Sequence, residues 1–136
     1  MTAQMIKGFL ESELRRKAFP YIVENGYMIL TAGFGGKRWK LAVSCGENRI
    51  TCYAAYPRQV PRELCASMIA RLNSLNAASG FGSYFLLDTE GLGLLSQAPG
   101  YLIVFRCDIL TADVYSIGEC FADGLWRMSA AFCAQW

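Results

Sequence analysis

Apolar positions change their spacing along this chain, from helical to alternating and back. Over residues 4–23, Ile6, Phe9, Leu10, Leu14 and Phe19 recur at helical spacing, with Lys7, Glu11, Arg15 and Arg16 elsewhere, which predicts an amphipathic helix. Pro20 predicts that this helix ends or kinks near Phe19, because proline lacks a backbone donor and clashes with the preceding turn. Asn25-Gly26 then turns the chain, and from Tyr27 the period becomes two. Trp39, Leu41 and Val43 alternate with Lys40, Ala42 and Ser44, and Ile50, Cys52 and Ala54 alternate with Thr51, Tyr53 and Ala55. With turns at Gly33-Phe34-Gly35-Gly36 and Gly46-Glu47-Asn48, three consecutive strands form an antiparallel meander, since the connections are too short for parallel crossovers.

Pro57 is expected to end the third strand and Pro61 to start a helix, at a position where its missing donor costs nothing. Leu64, Met68, Leu72 and Leu75 mark one stripe of that helix, which spans about residues 61–78. Gly80 and Gly82 separate it from two strand-like runs, Ser83–Asp88 and Tyr101–Leu110. The glycine-rich stretch Thr89–Gly100 between them predicts a hairpin with a short extra strand around Leu92–Gln97. Ser116-x-x-Glu119 has the form of a capping box, with Thr111 or Asp113 as earlier starts. Beyond it Ile117, Phe121, Leu125, Met128 and Phe132 predict a closing helix to about Ala134. The order is α-β-β-β-α-β-β-α, an α+β domain in which helices pack on an antiparallel sheet. Residues 1–136 read as a single domain, with no repeat or linker to divide them.

Composition narrows the chemistry. The 136 residues are 54% apolar and 18% charged, which argues for a folded domain and against disorder. A net charge of +2 is too small to draw the chain onto nucleic acid or an anionic membrane by charge alone, so neither is an expected partner. The chain has no His, which excludes His-assisted nucleophiles and imidazole metal sites; no cofactor is expected. No run reaches the ~18 apolar residues of a membrane span and the N-terminal stretch lacks an export-signal core, so a soluble cytoplasmic protein is the expectation. Six cysteines (Cys45, Cys52, Cys65, Cys107, Cys120, Cys133) stand far apart with no two-residue gap, the pattern of reduced core thiols.

Candidate sites are few. Gly33-Phe34-Gly35-Gly36-Lys37-Arg38 resembles an anion nest, but it joins two strands and reads as a hairpin turn. Asp88 and Glu90 flank a turn and receive no catalytic role. Cys65, early in the middle helix and near Arg62, has the one local arrangement that could lower a thiol pKa, and a packed core thiol is the alternative. Tyr27, Trp39, Tyr53 and Tyr56 with Lys40 and Arg49 could stack on single-stranded nucleic acid, although aromatics at strand spacing more often face a core. The clearest signal is apolar excess: Cys65, Ile69 and Met68 in the middle helix and Leu125, Trp126, Met128 and Phe132 in the last one exceed what one sheet face requires, with a two-sided core as the alternative. Leu64, Met68, Leu72 and Leu75 are therefore the candidate protein-binding or dimer residues.

The runs Tyr53-Ala54-Ala55-Tyr56-Pro57-Arg58-Gln59-Val60-Pro61, Arg71-Leu72-Asn73-Ser74-Leu75-Asn76 and Gly82-Ser83-Tyr84-Phe85, with this element order, resemble the bacterial YbjN-like proteins. These are candidate sensory transduction regulators similar to the type III secretion chaperone-like fold. The resemblance covers nearly the whole chain and implies a dimeric α-β-β-β-α-β-β-α domain with no enzymatic activity. Its implied function is a cytoplasmic bacterial regulator or chaperone-like adaptor that binds another polypeptide. Other readings are a type III secretion chaperone for an effector, a small-molecule sensor and, last, a thiol-dependent enzyme using Cys65.

Overall fold

Thr2 opens the first helix, α1 (Ala3–Arg16), its Oγ1 accepting from the Met5 amide at 3.2 Å and satisfying one of the donors a helix leaves unpaired at its start. The computed structural model describes residues 1–88, 100–111 and 117–135. Ile6, Leu10 and Leu14 are the buried stripe of α1, as the spacing predicts, but the helix stops at Arg16, short of Phe19. Ala18 adopts φ 53°, and the amides of Ala18 and Phe19 donate back to the carbonyls of Arg15 (3.0 Å) and Leu14 (2.8 Å). This is a Schellman close with alanine where glycine is usual, so no glycine in the sequence marks it.

Beyond Pro20, in the last part of the 4–23 segment, the chain forms a short strand the spacing did not indicate, β1 (Ile22–Glu24), paired with β2 (Tyr27–Phe34). Asn25 and Gly26 join them with φ values of 51° and 82°, the two successive left-handed residues of a tight hairpin turn. Then come β3 (Lys37–Gly46), β4 (Arg49–Val60), a single 3-10 turn (Arg62–Leu64) and α2 (Cys65–Ala78). The described chain finishes with β5 (Ser83–Asp88), β6 (Tyr101–Leu110) and α3 (Ile117–Gln135). Among the described residues the sheet has six strands in the order β1-β2-β3-β4-β6-β5, every pairing antiparallel. The α+β architecture is as the sequence predicts, with β1 added at one edge. The expected hairpin and short strand within residues 89–99, Glu90, and the Ser116 and Asp113 helix starts lie outside the described residues, as do the side chains of Phe132, Cys120 and Cys133.

Pro57 does not end β4. Its pairing with β3 finishes at Ala55, while pairing with β6 shifts register between Ala55 and Gln59 and resumes through Gln59–Leu102 and Val60–Tyr101. A bulge absorbs the residue that cannot donate, on a stretch where one neighbouring strand has already departed.

Alternation divides the sheet into two unlike faces. One carries Leu30, Leu41, Val43, Ile50, Cys52, Ala54 and Phe105, and all three helices bury their apolar residues in this cluster: Ile6 and Leu10 from α1, Leu72 from α2, Ile117, Phe121 and Met128 from α3. Helix α3 packs tightly on β6 at Gly124, where an added Cβ would come within 2.6 Å of Ile109 Cγ1. The Tyr84 hydroxyl of β5 donates to the Ala131 carbonyl of α3 at 3.1 Å. The other face holds only a small cluster, Ala55, Leu102 and Val104 flanked by Tyr53, Phe85 and Leu87.

Candidate functional site

The stripe expected to bind protein is divided between interior and surface. Leu72 is 2% exposed and belongs to the core, Met68 and Leu75 are half-buried against it, and Leu64 is 50% exposed. Leu72 is the one buried residue of α2, and Ile69, on the outer side, is 49% exposed. The helix thus sits at the margin of the sheet against β5, its inner residues touching the core and Leu64 and Ile69 left in solvent. The geometry brings Leu64 and Ile69 to the surface but not Leu72, whose replacement would attack the fold itself.

The sheet's two edges are treated differently. At the β5 edge the Asn76 side chain acts like a strand residue: its Nδ2 donates to the Tyr84 carbonyl at 2.8 Å, and its Oδ1 accepts from the Tyr84 amide at 2.6 Å. Those two groups point away from β6, and without Asn76 they would invite another chain to pair. At the opposite edge all three residues of β1 are exposed, with Ile22 at 61% and Val23 at 55%. Apolar side chains at an open strand edge suit the addition of an extended segment.

The four aromatics weighed for stacking part company. Trp39 is buried in the core and Tyr56 packs against it, as the periodicity allows, whereas Tyr27 and Tyr53 lie on the helix-free face. Their rings meet edge to face at 6.2 Å, although β3 runs between their strands and strands lie about 4.8 Å apart. They reach each other because β3 presents only Ala42 and Ser44 beneath them. Directly across from Tyr53, Arg106 places its guanidinium 5.7 Å from the ring centroid. It also pairs with Asp108 at 3.6 Å, and Asp108 accepts from Thr51 Oγ1 at 2.6 Å. Arg106 was not among the residues singled out from sequence; its signal is the polar alternation of Arg106 and Asp108 within the apolar strand Tyr101–Leu110.

Nucleophile chemistry finds little support. Cys65 begins α2, its Sγ donating to the Pro61 carbonyl at 3.5 Å while packing against the core. Burial pushes the Cys45 thiol up to about 11, and the Cys52 thiol is pushed up by its hydrogen bond with Cys107 and by burial. Raised thiols are poor nucleophiles near neutral pH, and the Cys107 thiol, lowered by its hydrogen bond with Cys52, is buried away from solvent. Among the described residues no group of three or more His, Cys, Asp or Glu could hold a metal ion, and no helix is long and apolar enough to cross a membrane. A groove of about 290 Å3 runs between α1 and α3, lined by Leu14, Lys17, Phe19, Phe121 and Leu125 among others. It opens between two helices, away from the sheet's helix-free face.

Comparison with known proteins bears on the fold. Over 91% of its length the chain matches 86% of the crystal structure of YbjN, a candidate transcription regulator from E. coli, at a TM-score of 0.63 and 14% sequence identity. No protein-family model matches the chain, and no curated protein does. The chain therefore has the fold of YbjN, as the quoted runs led one to expect.

Proposed function

We propose that a protein with the YbjN fold and this surface is a non-catalytic, cytoplasmic bacterial regulator or chaperone-like adaptor that self-associates and binds another polypeptide. The observation that carries the reading is the apolar surface of the marginal helix. Leu64 and Ile69 stand half in solvent on an element that contributes only Leu72 fully to the core. Exposed apolar residues at a fold's margin favour burial by a partner at roughly 25 cal/mol per Å2 of apolar area removed from water. The chain's lack of His supports a binding rather than a catalytic role. The YbjN description as a candidate transcription regulator agrees with a regulatory role.

Light scattering on a size-exclusion column tests it. The wild-type chain is expected to run as a dimer, and Leu64→Asp or Ile69→Asp to run as a folded monomer with an unchanged circular dichroism spectrum. A monomeric wild type, or an unchanged dimer in both folded variants, would reject this surface.

A further inference from the structure

The small net charge of the chain hides an uneven distribution between the two faces of its sheet. The face without helices carries Arg38, Lys40, Arg49 and Arg106 by strand alternation, against Asp108 and, on the edge strand opposite Tyr27, Glu24. Arg106 is already paired with Asp108, but no ion pair among the described residues neutralises Arg38, Lys40 or Arg49. Lys40 stands one strand from Tyr53 and is exposed, and Arg38 faces Gly33 across the β2–β3 pair, so no side chain covers it from there. Tyr27 and Tyr53 are partly buried, and their mutual contact and Arg106 fix the rings in place.

We propose that the helix-free face binds single-stranded nucleic acid, with bases against Tyr53 and Tyr27 and phosphates along Arg38, Lys40 and Arg49. Such binding needs flat π surfaces that accept any base and cations spaced along the backbone, and this face supplies both. A duplex hides its base faces and could use only the charges. An acidic peptide would likewise engage the cations but leave the tyrosines without a role. The expectation drawn from net charge, that nucleic acid is not a partner, considered only the sum; the fold determines where the charges stand.

The test is fluorescence anisotropy with labelled single-stranded DNA and RNA of about 12 nucleotides, alongside the matching duplex and a glutamate-rich peptide. Single strands are expected to bind more tightly than either competitor, and log affinity to fall with log salt at a slope of about −2, for three neutralised phosphates. Tyr53→Leu should weaken binding about tenfold or more. Lys40→Gln, an exposed replacement that leaves the packing intact, should reduce the salt slope by about 0.7 and serves if Tyr53→Leu fails to fold. No binding of single strands at low salt would overturn the proposal. So would equal binding of duplex or peptide, or wild-type affinity and slope in a folded variant.

Discussion

Asn76 shows how one side chain can close a sheet. Its amide occupies both outward-facing groups of Tyr84, so α2 is held to β5 by a pair of hydrogen bonds rather than by apolar burial alone. Replacing it with alanine would strand a half-buried amide and carbonyl, at a cost of about 1–3 kcal/mol. Urea denaturation of Asn76→Ala is expected to show a loss in that range, with newly concentration-dependent association as the β5 edge opens. An unchanged midpoint would show that water replaces the amide without loss. The Leu72-Asn73-Ser74-Leu75-Asn76 run is visible in the sequence, but its purpose is not. Which groups of Tyr84 face outward is fixed only once β5 has paired with β6.

The elements read clearly from sequence wherever periodicity and turn residues agreed. The β2, β3 and β4 meander, α2 and α3 all occur where the spacing places them. The departures each have a local cause. Helix α1 ends on Ala18 in a conformation that sequence assigns to glycine, and β1 is too short to show a period, although Asn25-Gly26 is itself a hairpin signal that a preceding strand would explain. Strand β4 continues past Pro57 because a bulge lets it. The seating of α3 leaves little room at Gly124. An added methyl at Gly124 overlaps Ile109, so Gly124→Ala is expected to destabilise by about 1–3 kcal/mol despite alanine's better helix propensity. Gly124→Ala combined with Ile109→Val should recover part of that loss in thermal denaturation, and no recovery would place the strain elsewhere.

At the scale of the whole molecule, the fold raises three weak acids, Cys45, Cys52 and Tyr84, while the buried Cys107 is lowered by its hydrogen bond with Cys52. Burial raises the Cys45 thiol from 9.0 to about 11 and raises Tyr84 as well, while Cys52 is raised by its hydrogen bond with Cys107 and by burial. A folded-state pKa above the unfolded one favours the fold while the group keeps its proton, so that contribution is complete below pH 9 and disappears as pH rises through the folded value. The urea midpoint should therefore fall between pH 9 and about 11. Cys45→Ala should flatten part of the decline, and a midpoint that held steady across that window would contradict the burial argument.

The linear chain determined the α+β class, most strand and helix positions and the absence of imidazole chemistry, because these depend on residue type and on the spacing of neighbours along the backbone. It also showed that apolar residues exceeded one core stripe. Tertiary packing alone decided which of them stayed outside: Leu72 was drawn into the core while Leu64 and Ile69 were not, since α2 settles at the sheet's margin rather than across its middle. It likewise brought Tyr27, Tyr53 and Arg106 from three strands onto the face without helices. Sequence spacing defines which side of an element a residue takes, but only assembly fixes what that side meets.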